Sequence, residues 1–235
     1  IMDEIDDSSN SFSSADELCD LTLIVENKKI YAHKAVLAKV SPVFNRMFCS
    51  GFKESSAKEI TLPDKKYEEI VELLQCLYPN ILKPVDAENA QVLLSLSEEY
   101  GILILKKQIE KYFITVVTNS HDSTKTNYGN ALKLKIENIL NLLILAQIYR
   151  LNKLELEIIE FLSAYDDEQL EKYDVYKQQL DIDFKFKVLK LFSKKQQDKL
   201  KEKTIKLKEL EDKCTRQKFD IVRLTNELDA LKHIV

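Results

Sequence analysis

The chain has 235 residues, 45% hydrophobic and 31% charged, with three glycines, four prolines and a net charge of -4. That composition supports one or two cores in a mostly helical protein, and the acidic balance argues against generic nucleic-acid binding. Apolar runs such as ILNLLILAQIY fall well short of the roughly 20 residues of a membrane span. The acidic start is no signal peptide, so a soluble intracellular protein, in cytoplasm or nucleus, is expected. Cys19, Cys49, Cys76 and Cys214 lie far apart with no C-x-x-C pair, which suggests neither a disulfide framework nor a metal site.

Residues 1–14, IMDEIDDSSNSFSS, are acidic and serine-rich and read as a disordered lead-in; the Ile ahead of the Met suggests a fragment edge. LTLIVENKKIYAH alternates on both sides of Asn27 and Lys28 as a hairpin does, and KEITLP is a third short strand ended by Pro63. Between them, Ser41 and Pro42 open a short helix whose apolar stripe is Phe44, Met47 and Phe48. Phe52 falls beyond that helix, past Gly51, and needs another partner: its own core or a second protein. Asp64 is positioned to cap a helix carrying Tyr67, Ile70, Val71, Leu74, Leu77 and Tyr78, and Asp86 starts another that stops at Gly101. A third helix buries Leu105, Ile109, Tyr112, Phe113 and Val116, completing an α+β domain near residue 118.

After the polar stretch TNSHDSTKTNYGN, the segment ILNLLILAQIYRLNKLELEIIEFL reads as two helices joined near Arg150 to Asn152, both too apolar to stand free. AYDDEQLEKYDVYKQQL adds a further helical turn or two. The C-terminus then repeats every seven residues. Leu200, Leu207, Cys214, Ile221, Leu228 and Val235 take the a positions of a heptad, and Leu210, Gln217, Leu224 and Leu231 take d positions. A coiled coil follows from that spacing, the alternative being an amphipathic helix that folds back on its own domain. Its e and g charges leave orientation open: Lys206 with Glu211 and Glu227 with Lys232 favour a parallel pair, whereas Lys213 meets Lys218. From Lys185 to Lys218 the chain is basic, which reads as a solvated face or as a dock for an acidic partner.

Enzyme motifs such as H-E-x-x-H, G-x-S-x-G and a Walker loop are missing, and the three histidines are His33, His121 and His233. No catalytic residue, cofactor or metal ligand is therefore assigned, and His33 reads as a structural histidine near a helix start.

The succession from Cys19 through AHKAVLA, SPVF..MF and KEITLP to VLLSLSEEYGI resembles a BTB/POZ domain, over about residues 15–118. The segment after it is similar to the shortened BACK-like region of MATH-BTB and speckle-type POZ proteins. Residue pattern and resemblance together divide the chain into five parts: a disordered acidic lead-in over 1–14, a BTB/POZ domain over 15–118, a linker over 119–130, a BACK-like segment over 131–183 and a coiled coil over 184–235. It implies homodimerisation through a surface drawn from Phe12, Leu18, Leu21, Met47 and Phe48, several of which could equally be core residues. Asp20 and Lys34 match the family's paired charges near that interface, or are ordinary surface charges. Phe52-Lys53-Glu54 corresponds to the hydrophobic-x-acidic motif that holds cullin-3, joined by Val43, Tyr78 and Asn80. The implied function is a protein-interaction adaptor that recruits substrates to a cullin-3 ubiquitin ligase; departing from the family pattern, the coiled coil would have to hold the unknown client. The alternative is a dimeric scaffold joining coiled-coil arms, since neither a MATH nor a kelch module is present in this sequence.

Overall fold

The computed structural model describes residues 12–49, 57–121 and 129–232. The chain forms two compact units, Ile1–Ile158 and Ile159–Val235.

In the first unit, strands β1 (Leu21–Val25) and β2 (Lys28–Ala32) form an antiparallel hairpin, pairing Leu21 with Ala32 and Val25 with Lys28. The hairpin is real, but its turn is centred one residue earlier than the alternation suggests. Glu26 and Asn27 both take positive φ, 49° and 61°, giving a two-residue turn whose twist matches the strands. Strand β3 (Glu59–Thr61) pairs parallel to β1, so the sheet order is β2-β1-β3. Leu21, Leu23, Val25, Ile30, Ala32 and Ile60 alternate onto one buried face.

Helices α1 (Lys34–Val40), α2 (Pro42–Cys49), α3 (Tyr67–Leu77), α4 (Ala90–Glu99) and α5 (Leu103–His121) complete the domain. The cap of α3 is not the one expected. Asp64 sits in a turn at φ 60°, and Lys66, the residue before α3, offers no side-chain bond to it. Instead the Tyr67 N–H donates to Glu26 Oε2 at 2.9 Å, so the hairpin turn caps a helix 41 residues away. Asp86 accepts from the N–H groups of Glu88 and Asn89, capping the turn that leads into α4 rather than α4 itself. Glu72 accepts from both Lys83 Nζ and Asn89 Nδ2, at 2.7 and 2.8 Å, tying the loop between the two helices to α3. Helix α5 buries Leu105, Ile109, Phe113 and Val117, a strict i, i+4 stripe that leaves Val116 half-buried. Helix α6 (Gly129–Ile148) and helix α7 (Asn152–Leu162) turn at Arg150, φ 53°, where the apolar pattern breaks.

In the second unit, α8 (Asp167–Leu170) opens with a reciprocal capping box between Asp166 and Gln169. A π-helical turn, Val175–Gln179, follows. Helix α9 (Ile182–Lys232) has 51 residues, about 76 Å at 1.5 Å per residue. It starts well before Leu200, because Asp181 Oδ1 caps the Phe184 N–H at 2.6 Å and Phe184 and Val188 are buried. Tyr176 is also buried; its hydroxyl donates to Asp167 and Lys185 Nζ lies 4.9 Å from its ring centre. Beyond Lys195 every side chain described, through Leu224, is exposed. No helix among the described residues is long and apolar enough to cross a membrane.

Candidate functional site

Helix α2 is held by one face and offers the other. Ser41, itself buried, donates from Oγ to the Tyr100 carbonyl at 2.6 Å and accepts the Phe44 N–H at 3.0 Å, capping α2 and fixing it to the end of α4. Phe44 stacks between Tyr100 (centroids 4.5 Å apart, planes within 7°) and Phe48 (5.8 Å). Burial pushes the Tyr100 phenol up to about 12, so it stays neutral and packs as a hydrophobe. Gly101 follows at φ +66°, and a Cβ there would lie 2.8 Å from Pro42 Cγ; only glycine lets α4 end against the start of α2.

With Phe44 and Phe48 inside, Pro42, Val43, Asn45 and Arg46 lie outside, and Met47 is half-buried at the boundary. Val43 is 38% exposed, an apolar residue beside Asn45 and Arg46 on the outer face. Immediately after α2 come Phe52 and Glu54, which lie outside the described residues. The far side of that segment is pinned at Ala57, whose carbonyl accepts Lys34 Nζ at 2.8 Å while the same ammonium lies over the Phe48 ring. Asp20 meets the backbone of Lys34, its Oδ1 accepting the Lys34 N–H at 2.8 Å and thereby tying the entry of β1 to the start of α1.

Tyr78 and Asn80, paired by sequence, have opposite environments. Asn80 is exposed in the turn after α3. Tyr78 is buried with its ring edge-on to Phe12 at 4.8 Å. Its hydroxyl accepts the His33 backbone N–H at 2.9 Å and lies 3.2 Å from His33 Nδ1. Burial raises this phenol to about 12. His33 is thus held by local hydrogen bonds at the start of α1, as expected of a structural histidine. Among the residues proposed for an interface, Phe12, Leu21 and Phe48 are buried within the chain, while Leu18 is 79% exposed. Phe12 earns its burial by a backbone bond as well, its carbonyl accepting the Tyr31 N–H at 2.9 Å along the free edge of β2.

One cluster escaped the sequence reading. Asp16, Cys19 and His33 present ligand-type atoms all within 4.8 Å of one another. The D-x-x-C spacing was the available signal, but His33 reaches it only through the folded hairpin.

On the C-terminal helix, the seam positions Leu200, Leu207, Leu210, Ile221 and Leu224 are 57–66% exposed, and Cys214 and Gln217 are exposed as well. Leu228, Leu231 and Val235 lie outside the residues whose side chains are described. Phe219 and Val222 are also exposed and fall off the a/d seam.

The family model for the BTB/POZ domain matches residues 9–116. BTB and MATH domain-containing protein 38 of Caenorhabditis elegans is 37% identical over 97 residues, covering 41% of this chain and 25% of that protein. BTB and MATH domain-containing protein 36 of the same organism is 28% identical over 152 residues, covering 65% of this chain and 42% of the relative. Human Kelch-like protein 7 is 36% identical over 98 residues, 42% of this chain and 17% of that protein. The chain therefore spans less than half the length of each of these curated relatives.

Proposed function

With residues 9–116 a BTB/POZ domain, we propose that the chain is a homodimeric protein-interaction adaptor that engages cullin-3 through the outer face of α2 and the Phe52-Lys53-Glu54 segment. The observation that carries this reading is the division of α2. Phe44 and Phe48 are committed to the core, so Val43 and the residues beside it are left on the outer face of a helix that Phe52 follows by three residues in the sequence. A helix anchored in this way presents side chains without paying ordering entropy on binding. Phe52 would supply the aromatic anchor, burying about 150–250 Å² in a partner pocket. Glu54 would add a charge or a turn cap, and Asn80 a polar contact. Tyr78 would act through the turn it begins, because its ring and hydroxyl are occupied internally. Leu18 and Met47 are the residues left to bury on pairing with a second copy. The adaptor would perform no chemistry; it would raise the concentration of a client near a ubiquitin-loaded enzyme.

Titration calorimetry of the full chain against the cullin-3 N-terminal region tests this. Submicromolar binding is expected, weakened by about 2 kcal/mol or more in Phe52→Ala, in the range of interface hot spots, and similarly in Val43→Arg. Heat-silent mixing with a folded chain overturns the reading.

A second reading is favoured by α9. Its exposed heptad seam suits pairing with another helix, either a second copy, which makes the chain a scaffold joining two arms, or a helical client of the ligase. The BACK-like assignment of residues 131–183 belongs to the same proposal.

A further inference from the structure

Asp16 and Cys19 lie on one turn, closed by the Cys19 N–H donating to the Asp16 carbonyl at 3.3 Å. His33, fourteen residues beyond Cys19, returns to that turn at the end of the hairpin with Nε2 3.9 Å from Cys19 Sγ and 3.4 Å from Asp16 Oδ1. A tetrahedral zinc ion with bonds of about 2.0–2.3 Å has ligand-to-ligand edges of about 3.3–3.7 Å. The two edges to His33 sit at or within a few tenths of an ångström of that range, and all three ligand atoms lie within 4.8 Å of one another. D-x-x-C spacing also supplies two ligands from one turn, as the C-x-x-C arm of zinc sites does.

The surroundings suit a cation. His33 Nδ1 lies 3.2 Å from the Tyr78 hydroxyl, a contact that holds the ring with Nε2 toward Asp16 and Cys19. Asp16 is oriented by the Leu18 N–H, which donates to Oδ1 at 2.8 Å. One carboxylate, one thiolate and one neutral imidazole balance a divalent ion. A cavity of about 330 Å³, walled by Phe12, Tyr31, Tyr78 and Asn80, opens beside the three groups and leaves space for a fourth ligand.

We propose that Asp16, Cys19 and His33 form a three-ligand site for a zinc-class divalent cation, with the fourth position taken by water. Binding forms a metal–sulfur bond, breaks the Cys19 S–H bond and releases that proton to solvent. The ion would clamp the segment that carries exposed Leu18 onto the start of α1, linking metal occupancy to the order of that surface.

The test is cobalt(II) titration of the full chain after removal of metals with EDTA, followed by displacement with zinc. Saturation at one equivalent is expected, with tetrahedral visible bands and a thiolate-to-cobalt charge-transfer band. Cys19→Ser should abolish the charge-transfer band, and Asp16→Asn, which keeps an oxygen to accept the Leu18 N–H but removes the charge, should weaken binding at least tenfold. A Cys49→Ser/Cys214→Ser chain should bind as the parent does. A parent chain without cobalt bands overturns the site, as does a charge-transfer band that survives Cys19→Ser or vanishes with Cys49 and Cys214. Since the parent spectrum decides alone, a variant that fails to fold does not shelter the proposal.

Discussion

The α2 region of the BTB domain and the distal half of α9 are both helical, but they are stabilised in opposite ways. Around α2 each anchoring group finds its partner inside the chain: Ser41 with Tyr100 and Phe44, Phe44 between two rings, Gly101 against Pro42. Along α9 from residue 196 to 224 the described side chains face solvent, including a seam of leucines and isoleucines. The lesson is that helical periodicity signals a buried face without saying whose. In α2 the stripe is met by its own domain, whereas in α9 the described seam residues are exposed. Isolated helices gain little from propensity alone, so packing of this seam on another surface would stabilise α9 further.

Core truncation gives the largest expected contrast. Phe44→Ala removes a buried ring from a stack and should cost about 3–5 kcal/mol in urea unfolding, whereas Phe219→Ala, at a residue 72% exposed, should change it by less than about 0.5 kcal/mol. Equal effects would mean that the distal helix is as firmly packed as the domain. Next comes Gly101→Ala, at φ +66° with Pro42 Cγ 2.8 Å from the new methyl. It should cost about 1–3 kcal/mol through backbone strain and displaced packing. A neutral result would show that α2 can slide on the end of α4, undermining the rigid outer face on which the adaptor reading depends. Ser41→Ala should cost about 1–2 kcal/mol as the cap of α2 is lost, and hydrogen exchange of its first turn should quicken with little change elsewhere.

The sequence already carried most of this architecture where interactions are local. Alternation gave away the hairpin, Ser41-Pro42 the start of α2, Gly101 the end of α4, and the loss of apolar spacing at Arg150 the break between α6 and α7. Local reading failed where a distant group decided the outcome. Asp64 has the right chemistry for a cap, but its positive φ removes it and Glu26 arrives from the hairpin instead. Val117 displaces Val116 because the helix phase is set by the buried Leu105 and Ile109. Within the candidate sites, exposure could not be read from residue type. Tyr78, Phe12 and Phe48 are as apolar as an interface requires, yet each already fills its own core. The Asp16, Cys19 and His33 cluster was illegible for the same reason, since a fold brings it together and mixed ligands match no single spacing rule.

The smallest effect is the most informative about α9. Leu210 and Leu224 are 59% and 57% exposed, so in a solitary chain Leu210→Ala and Leu224→Ala should each shift unfolding by less than about 0.5 kcal/mol, whatever the protein concentration. If the seam pairs with a second helix, the same substitutions remove buried leucines from a coiled coil, and the cost should rise to about 2 kcal/mol or more as concentration increases. Circular dichroism and sedimentation equilibrium of both variants across a hundredfold dilution separate the cases. A cost that grows with concentration indicates self-pairing and a scaffold built on two arms. A small, constant cost leaves the seam free for a client helix, which is what a ligase adaptor lacking MATH and kelch modules in this stretch of chain would need.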